Sequence, residues 1–269
     1  MSRAAVVAFV LVLPAWFLND VSASDTSGVR FLPVARLAPL FSADTRAHRT
    51  YLQSNLENRT FYFAMGAQIP VLQYNNRFQL LVGTSAHATM RRTAIKNAIL
   101  NTDYYVDLVA DIKLMKYLYI RSAIGHTSHH LSDDGVTLGY INNNYQRDYI
   151  SAHALFNYEN VYMLYGGVSY NTVFRATVTQ TPKTMFQFGA DVALFGSRKA
   201  GYVFIAFDTK WKEEVSFGST SNTLIGYRYI NPNFQTFRFV LQNTAGYDER
   251  GQFYNSKVNI VSLALQFEI

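Results

Sequence analysis

Tyr104-Tyr105-Val106-Asp107-Leu108-Val109-Ala110-Asp111-Ile112-Lys113-Leu114 has two faces. Tyr104, Val106, Leu108, Ala110, Ile112 and Leu114 make an apolar one; Tyr105, Asp107, Asp111 and Lys113 share the other. Successive side chains of a strand point to opposite sides, so the pattern has the period of a strand with one greasy and one wet wall. It is roughly twice as long as the 5–6 residues usual for a strand in a soluble domain. It matches the alternation over about ten residues of a transmembrane barrel strand, apolar outside and polar inside. Phe186, Phe188, Ala190, Val192 and Leu194 repeat the pattern against Gln187, Gly189 and Asp191. The chain ends the same way, with Val261, Leu263, Leu265, Phe267 and Ile269 alternating with Ser262, Ala264, Gln266 and Glu268.

Working outward from these stretches predicts an all-β fold, a closed antiparallel transmembrane β-barrel of about twelve strands. The candidates lie near 47–56, 60–71, 77–88, 103–114, 117–128, 147–158, 161–172, 184–195, 201–211, 220–230, 234–246 and 257–269, the first having the weakest pattern. Every second connection is short: Tyr74-Asn75-Asn76, Met115-Lys116, Glu159-Asn160, Gly196–Ala200 and Asn231-Pro232-Asn233. The others are mostly longer, up to 129–146. Single-chain outer-membrane barrels have an even strand number, short periplasmic turns and longer external loops, so both termini are expected in the periplasm.

The N-terminus fits that destination. Arg3 precedes an apolar run from Ala4 to Leu18, interrupted by Pro14, and Val21-Ser22-Ala23 offers small residues for cleavage. The run is shorter than the roughly 20 residues of a spanning helix, so residues 1–23 read as a signal peptide. Residues 24–46 then form an N-terminal periplasmic segment, either a plug or lid on the barrel mouth or a disordered leader, and 47–269 the barrel. Charged residues are only 16% of the chain and aromatics 15%, which suits a lipid-facing wall with interfacial aromatic belts. The net charge of +6 is scattered, without a Lys/Arg block, which reads as a mixed polar surface and argues against a nucleic-acid partner; attraction to anionic membrane lipid is the weaker alternative. With no cysteine, disulfides, thiolate metal sites and a Cys nucleophile are excluded.

Three stretches carry a family resemblance. They are Arg30–Arg46, with Phe31-Leu32-Pro33 and Ser42-Ala43-Asp44-Thr45-Arg46; Asn101-Thr102-Asp103-Tyr104 followed by Arg121 and Gly125–Asp134; and Gly246-Tyr247 with Gly251-Gln252-Phe253-Tyr254. In this order, across nearly all of the mature chain, they resemble an uncharacterised bacterial outer-membrane β-barrel family, domain of unknown function 1207. The departures are Ser132-Asp133-Asp134 where the family is expected to have Gly-Asp-Glu, and Asp148 where it has Glu. The resemblance implies a barrel of this size and no established activity.

His126-Thr127-Ser128 supplies the chemistry. Residues i and i+2 share a face. Arg121, of opposite parity, is most cheaply placed in the wet lumen, so His126 and Ser128 are expected on the outer wall at the external rim. Asp148 shares parity with Ile150, Ala152 and Ala154 and is expected beside them, about 4.8 Å away on the next strand. Ser128 as nucleophile, His126 as base and Asp148 as orienting acid form the set of a serine hydrolase. The His-x-Ser spacing also resembles that of outer-membrane lipid A deacylase and outer-membrane phospholipase A, although both carry Asn where this chain has His129. Gly125 and Gly135 are the candidate backbone donors for an oxyanion. No cofactor is identified. A divalent cation held by His129, His130, Asp133 and Asp134 is the alternative chemistry, and a solvated external loop the bland one. His87 and His153 are expected to be ordinary lumen or wall residues.

The functional expectation is an outer-membrane barrel acting as a lipid esterase or deacylase at the outer leaflet. The alternative is a non-enzymatic barrel. That would be a small-solute transport channel, with Asp107, Asp111, Lys113, Asp191, Asp208 and Lys210 along the lumen, or a structural or surface-binding protein using loop 129–146. Inward Tyr105, Tyr149, Tyr202 and Phe204 point to a crowded lumen, which disfavours the channel.

Overall fold

A computed structural model describes residues 28–143, 145–175, 184–231 and 235–268. The signal-peptide reading of 1–23, the Pro232-Asn233 turn and the terminal Ile269 lie outside them. The described residues form β1 (Val29–Phe31), β2 (Thr50–Asn55), β3 (Thr60–Tyr74), β4 (Phe78–Arg92), β5 (Asn97–Lys113), β6 (Leu118–Leu131), helix α1 (Asp133–Thr137), β7 (Tyr145–Tyr158), β8 (Tyr162–Arg175), β9 (Thr184–Ser197), β10 (Gly201–Lys212), β11 (Gly218–Ile230), β12 (Thr236–Tyr247) and β13 (Lys257–Glu268). From β2 to β13 each strand pairs antiparallel with the next, and β13 returns to β2, with Phe267 opposite Thr50 and Ser262 opposite Asn55. Twelve strands thus close into a barrel.

The period-2 pattern sorts the side chains as the sequence predicts. Tyr105, Val109 and Asp111 are buried in the lumen, while Tyr104, Val106 and Leu108 are exposed on the wall. Arg121 is buried and Ile124 exposed. Several strands outrun the sequence reading: β5 starts at Asn97 and β6 runs to Leu131. A register shift between Thr89 and Met90 lets β4 and β5 stay paired up to Arg92 and Asn97. Such a bulge breaks the alternation used to find strand ends.

The tight turns gather at one end of the barrel, the turn end. Asn75 and Asn76 have φ of 49° and 51°, and Glu159 and Asn160 have 51° and 59°. Paired positive φ values are those of the two-residue hairpin turn whose twist matches antiparallel strands. The opposite, loop end carries α1 and the 248–256 connection.

Residues 28–49 of the N-terminal segment are built into the barrel. β1 and β2 both pair antiparallel with β3, at Val29–Phe31 against Tyr74–Leu72 and at Tyr51–Ser54 against Ala64–Phe61. They lie along one strand position, and residues 32–49 leave it, dip into the lumen and return. This interruption is why the first strand has so weak a pattern. The excursion is anchored along its length. Gln79 Oε1 accepts from the Leu37 N–H at 2.7 Å, and Arg121 donates to the Pro39 carbonyl at 3.0 Å. Phe41 stacks on Tyr165 at 3.8 Å. Arg49 donates to the Ser42 carbonyl at 2.6 Å and to Gln266 at 3.0 Å. Lys210 Nζ lies 2.6 Å from Asp44 and 2.9 Å from Glu249. Buried charges are tolerated only when paired, and the polar inner wall pairs these. Among the described residues the lumen retains cavities of ≈ 110 Å³ beside His48 and Arg147, ≈ 370 Å³ towards the turn end and ≈ 80 Å³ beside Tyr62 and His87.

Candidate functional site

The ladder fixes the outer-wall site. His126 stands directly opposite Asp148 across β6 and β7, and Ser128 opposite Gln146 and Tyr104. His126 Nδ1 is 2.6 Å from Asp148 Oδ1. Their side chains remain 49% and 45% exposed, so the pair faces out of the barrel. A carboxylate on Nδ1 fixes the ring with that nitrogen protonated and leaves Nε2 bare, the arrangement a general base needs.

Ser128 is in the same outward row, between His126 and His130. The parity argument thus holds for all three predicted residues, with one amendment. The hydroxyl of Ser128 is hydrogen-bonded to His130 Nε2 at 3.3 Å, and not to His126, among the described contacts. His130 leans edge-on against Tyr104, with ring centroids 5.8 Å apart. The spacing His126-x-Ser128-x-His130 carried the signal for His130, since all three alternate positions share one face. The site also lies within β6 rather than at its end, because the strand continues to Leu131.

Of the two predicted oxyanion donors, Gly125 is turned to the lumen and Gly135 is spoken for. Gly125 lies where an added Cβ would collide with Asp107 Oδ1 and Tyr149 Cζ. Its bare α-carbon makes room for the Tyr149 hydroxyl to donate to Asp107 at 2.7 Å. Gly125→Ala should therefore destabilise the barrel by ~1–3 kcal/mol through overpacking, read as a lower heat-modifiability midpoint on gels. An unchanged midpoint would show that the contact yields freely. The Gly135 N–H donates to Ser132 Oγ at 3.0 Å, capping α1.

The four residues considered for a cation do not converge. His129 is buried in the lumen, His130 is on the outer wall, Asp133 opens α1, and Asp134 pairs with Lys96 at 2.6 Å. Among the described residues no group of three or more His, Asp or Glu side chains is arranged to hold a metal.

His129 instead organises the lumen, a role that sequence reasoning missed. Its Nδ1 lies 2.8 Å from Asp103 and 3.1 Å from the backbone nitrogen of Gly251, and its Nε2 2.7 Å from the Thr127 hydroxyl. Gln252 donates to its carbonyl at 2.8 Å. Acid, imidazole and hydroxyl are in line, as in a relay. However, Thr127 is 1% exposed and borders none of the three lumen cavities, so the arrangement has no room for a substrate and acts as a clasp. A second chain of contacts runs from Asp107 to His48 (2.9 Å), to Ser85 (3.0 Å), to His87 (3.0 Å) and to Tyr51 (3.2 Å). His87 and His153 are lumen residues, as expected; His153 bonds Gln187 at 3.1 Å.

The stretches singled out in the sequence meet in space at this clasp. Asp103, Thr127, His129, Gly251 and Gln252 form it, and Arg46 of the lumen segment bonds the Glu249 carbonyl beside it at 2.9 Å. The sequence profile of a family described as Protein of unknown function (DUF1207) matches residues 26–269, and the chain belongs to that family. No curated protein sequence matches it.

Proposed function

From that membership and the geometry of the wall, we propose that the protein is an outer-membrane barrel acting as a membrane-lipid esterase or deacylase through Ser128, His126 and Asp148. The observation that carries this reading is the His126–Asp148 pair at 2.6 Å on the exposed wall. Towards the turn end the adjoining wall is apolar: Val106, Leu108 and Ile124 are exposed there. In hydrocarbon a polar side chain is costly unless paired, and it marks function by default. A His–Asp pair beside a serine is the least expected thing to find there unless it works.

In the proposed reaction a lipid ester lies along β6 and β7. Ser128 turns from His130 to His126, gives its proton to the bare Nε2 and attacks the ester carbonyl. Asp148 holds the imidazolium that results. The alcohol leaves with the proton returned by His126, and water then releases the acyl group from Ser128 by the same base. A fluorophosphonate with an alkyl tail tests this directly. It should add covalently to Ser128, located by peptide mass spectrometry, and not to Ser128→Ala. Absence of an adduct on the folded barrel overturns the assignment.

The membrane reading is supported by the closed barrel, its exposed apolar wall and its polar interior. With the turn end in the periplasm, a cysteine replacing Ile95, which is 96% exposed on the β4–β5 connection, should react with an impermeant thiol reagent on intact cells. One replacing Met115, 69% exposed on the β5–β6 turn, should not. The reverse labelling would invert the topology. The channel alternative has the filled lumen against it.

A further inference from the structure

Residues that the proposed chemistry does not use form a basic groove at the loop end. Asn58, Arg59, Thr60, Arg91, Arg92 and Tyr140 bound a groove of ≈ 580 Å³. All three arginines are exposed. Lumen arginines such as Arg121 and Arg228 each take a carboxylate, at 2.8 and 2.6 Å, whereas Arg59, Arg91 and Arg92 form no ion pair among the described residues. They are not on a loose tail. The Arg92 N–H donates to the Arg59 carbonyl at 2.9 Å, and Arg91 stands opposite Thr60 in the β3–β4 ladder. Three like charges are thus held at one edge of the sheet by backbone pairing. Unneutralised, they repel, and guanidinium forks match the oxygens of a phosphate. Thr60 and Tyr140 add hydroxyl donors.

What lies next to the groove selects the ligand. Arg59 and Arg92 share the outward parity of Phe61 and Met90, whereas Arg91 takes the lumen-side parity of Thr60; along the outward face Phe61 stands opposite Met90, followed by Phe63 opposite Ala88 and Met65 opposite Ala86. Met65 is 65% exposed, and Ile99 on β5 is exposed beside Met90. A cationic rim above an apolar wall is complementary to an amphiphile with an anionic head. A free inorganic anion would use the rim alone.

We propose that this groove binds the phosphate headgroup of a membrane lipid, whose acyl chains lie on the wall formed by Phe61, Phe63, Met65 and Met90. The assignment rests on the membrane reading but not on hydrolysis. Its test therefore uses the full-length Ser128→Ala chain in a non-ionic detergent, so that lipid is bound and not consumed. Dihexanoyl phosphatidic acid, dihexanoylglycerol and inorganic phosphate are titrated by calorimetry. The phosphatidic acid should bind, with affinity falling as salt rises. The triple variant Arg59→Gln/Arg91→Gln/Arg92→Gln should weaken it at least tenfold and flatten the salt dependence. The triple Lys variant should recover part of the loss, since it keeps the charge and loses the fork. Equal binding by the Gln variant, shown folded by gel shift, overturns the proposal. So does binding of dihexanoylglycerol as tight as that of phosphatidic acid. Inorganic phosphate matching the phosphatidic acid overturns the lipid assignment in favour of a free-anion site. Loss of acyl release in the catalytic variants with binding intact would leave the groove standing by itself.

Discussion

Ser128→Ala and His126→Ala should each reduce acyl release from purified membrane lipid by on the order of 10³-fold or more, because nucleophile and base act as one unit. Asp148→Asn should lose roughly 10²–10⁴-fold: the amide still fills the site, but it no longer favours a ring protonated on Nδ1. The decisive comparison is His130→Ala. His130 holds the Ser128 hydroxyl at 3.3 Å, but it is His126 that has the carboxylate. If His126 is the base, removing His130 frees the serine and costs less than about tenfold. Released fatty acid, measured for the four variants and the parent, separates the possibilities. A silent His130→Ala beside an active His126→Ala would transfer the role of base and overturn the reading of the His126–Asp148 pair. A fully active Ser128→Ala would remove the hydrolase altogether.

The second large effect concerns the lumen. In a planar bilayer the intact barrel should show no steady conductance, and replacing residues 33–47 by a Gly-Ser linker should produce a stable open channel. The excursion fills the bore, and its removal leaves twelve strands around an unblocked path. Lys210→Met is the milder version. It strips the shared cation from Asp44 and Glu249, 2.6 and 2.9 Å away, and removing one partner of a buried ion pair costs ~3–5 kcal/mol. Acid should act in the same direction. Burial favours the neutral acids, but Lys210, helped at Glu249 by Arg46, outweighs it, so both carboxyls stay below their ordinary range. Carboxylates depressed in this way contribute stability that is complete above the unfolded value, about 4. That stability is lost as the pH falls through the folded values. Conductance of the parent should therefore appear only on strong acidification and reverse on neutralisation. A steady conductance at neutral pH would favour the transport alternative. A silent linker variant that still migrates as a folded barrel would show that other side chains close the bore.

The barrel and the outer row were legible in the sequence because both depend on parity, which a strand enforces residue by residue. Tyr104 to Leu114 separated wall from lumen without any knowledge of neighbours, and Arg121 gave the sign. The partner of Ser128 was not legible, because two imidazoles flank it at equal spacing and side-chain torsions decide between them. Nor was the position of residues 32–49. Their prolines and scattered apolar residues read as irregular, and their partners Asp191, Lys210, Glu249 and Gln266 lie more than a hundred residues away. The four candidate cation ligands are separated for a related reason. His129 and His130 are adjacent in sequence and therefore on opposite sides of the wall.

The strand position shared by β1 and β2 is also the seam where the chain's last strand, β13, joins its first. A chain made from its N-terminus must hold this position open until Glu268 is available. Glu268 then meets Arg36 of the excursion at 3.0 Å, with Arg49 and Arg238 beside it. Closing the wall and filling the bore are consequently one step of assembly. No stage should exist at which a complete, open cylinder awaits its stopper. Because the excursion is tethered at both ends to wall strands, the finished protein can at most swing it aside. It cannot release it.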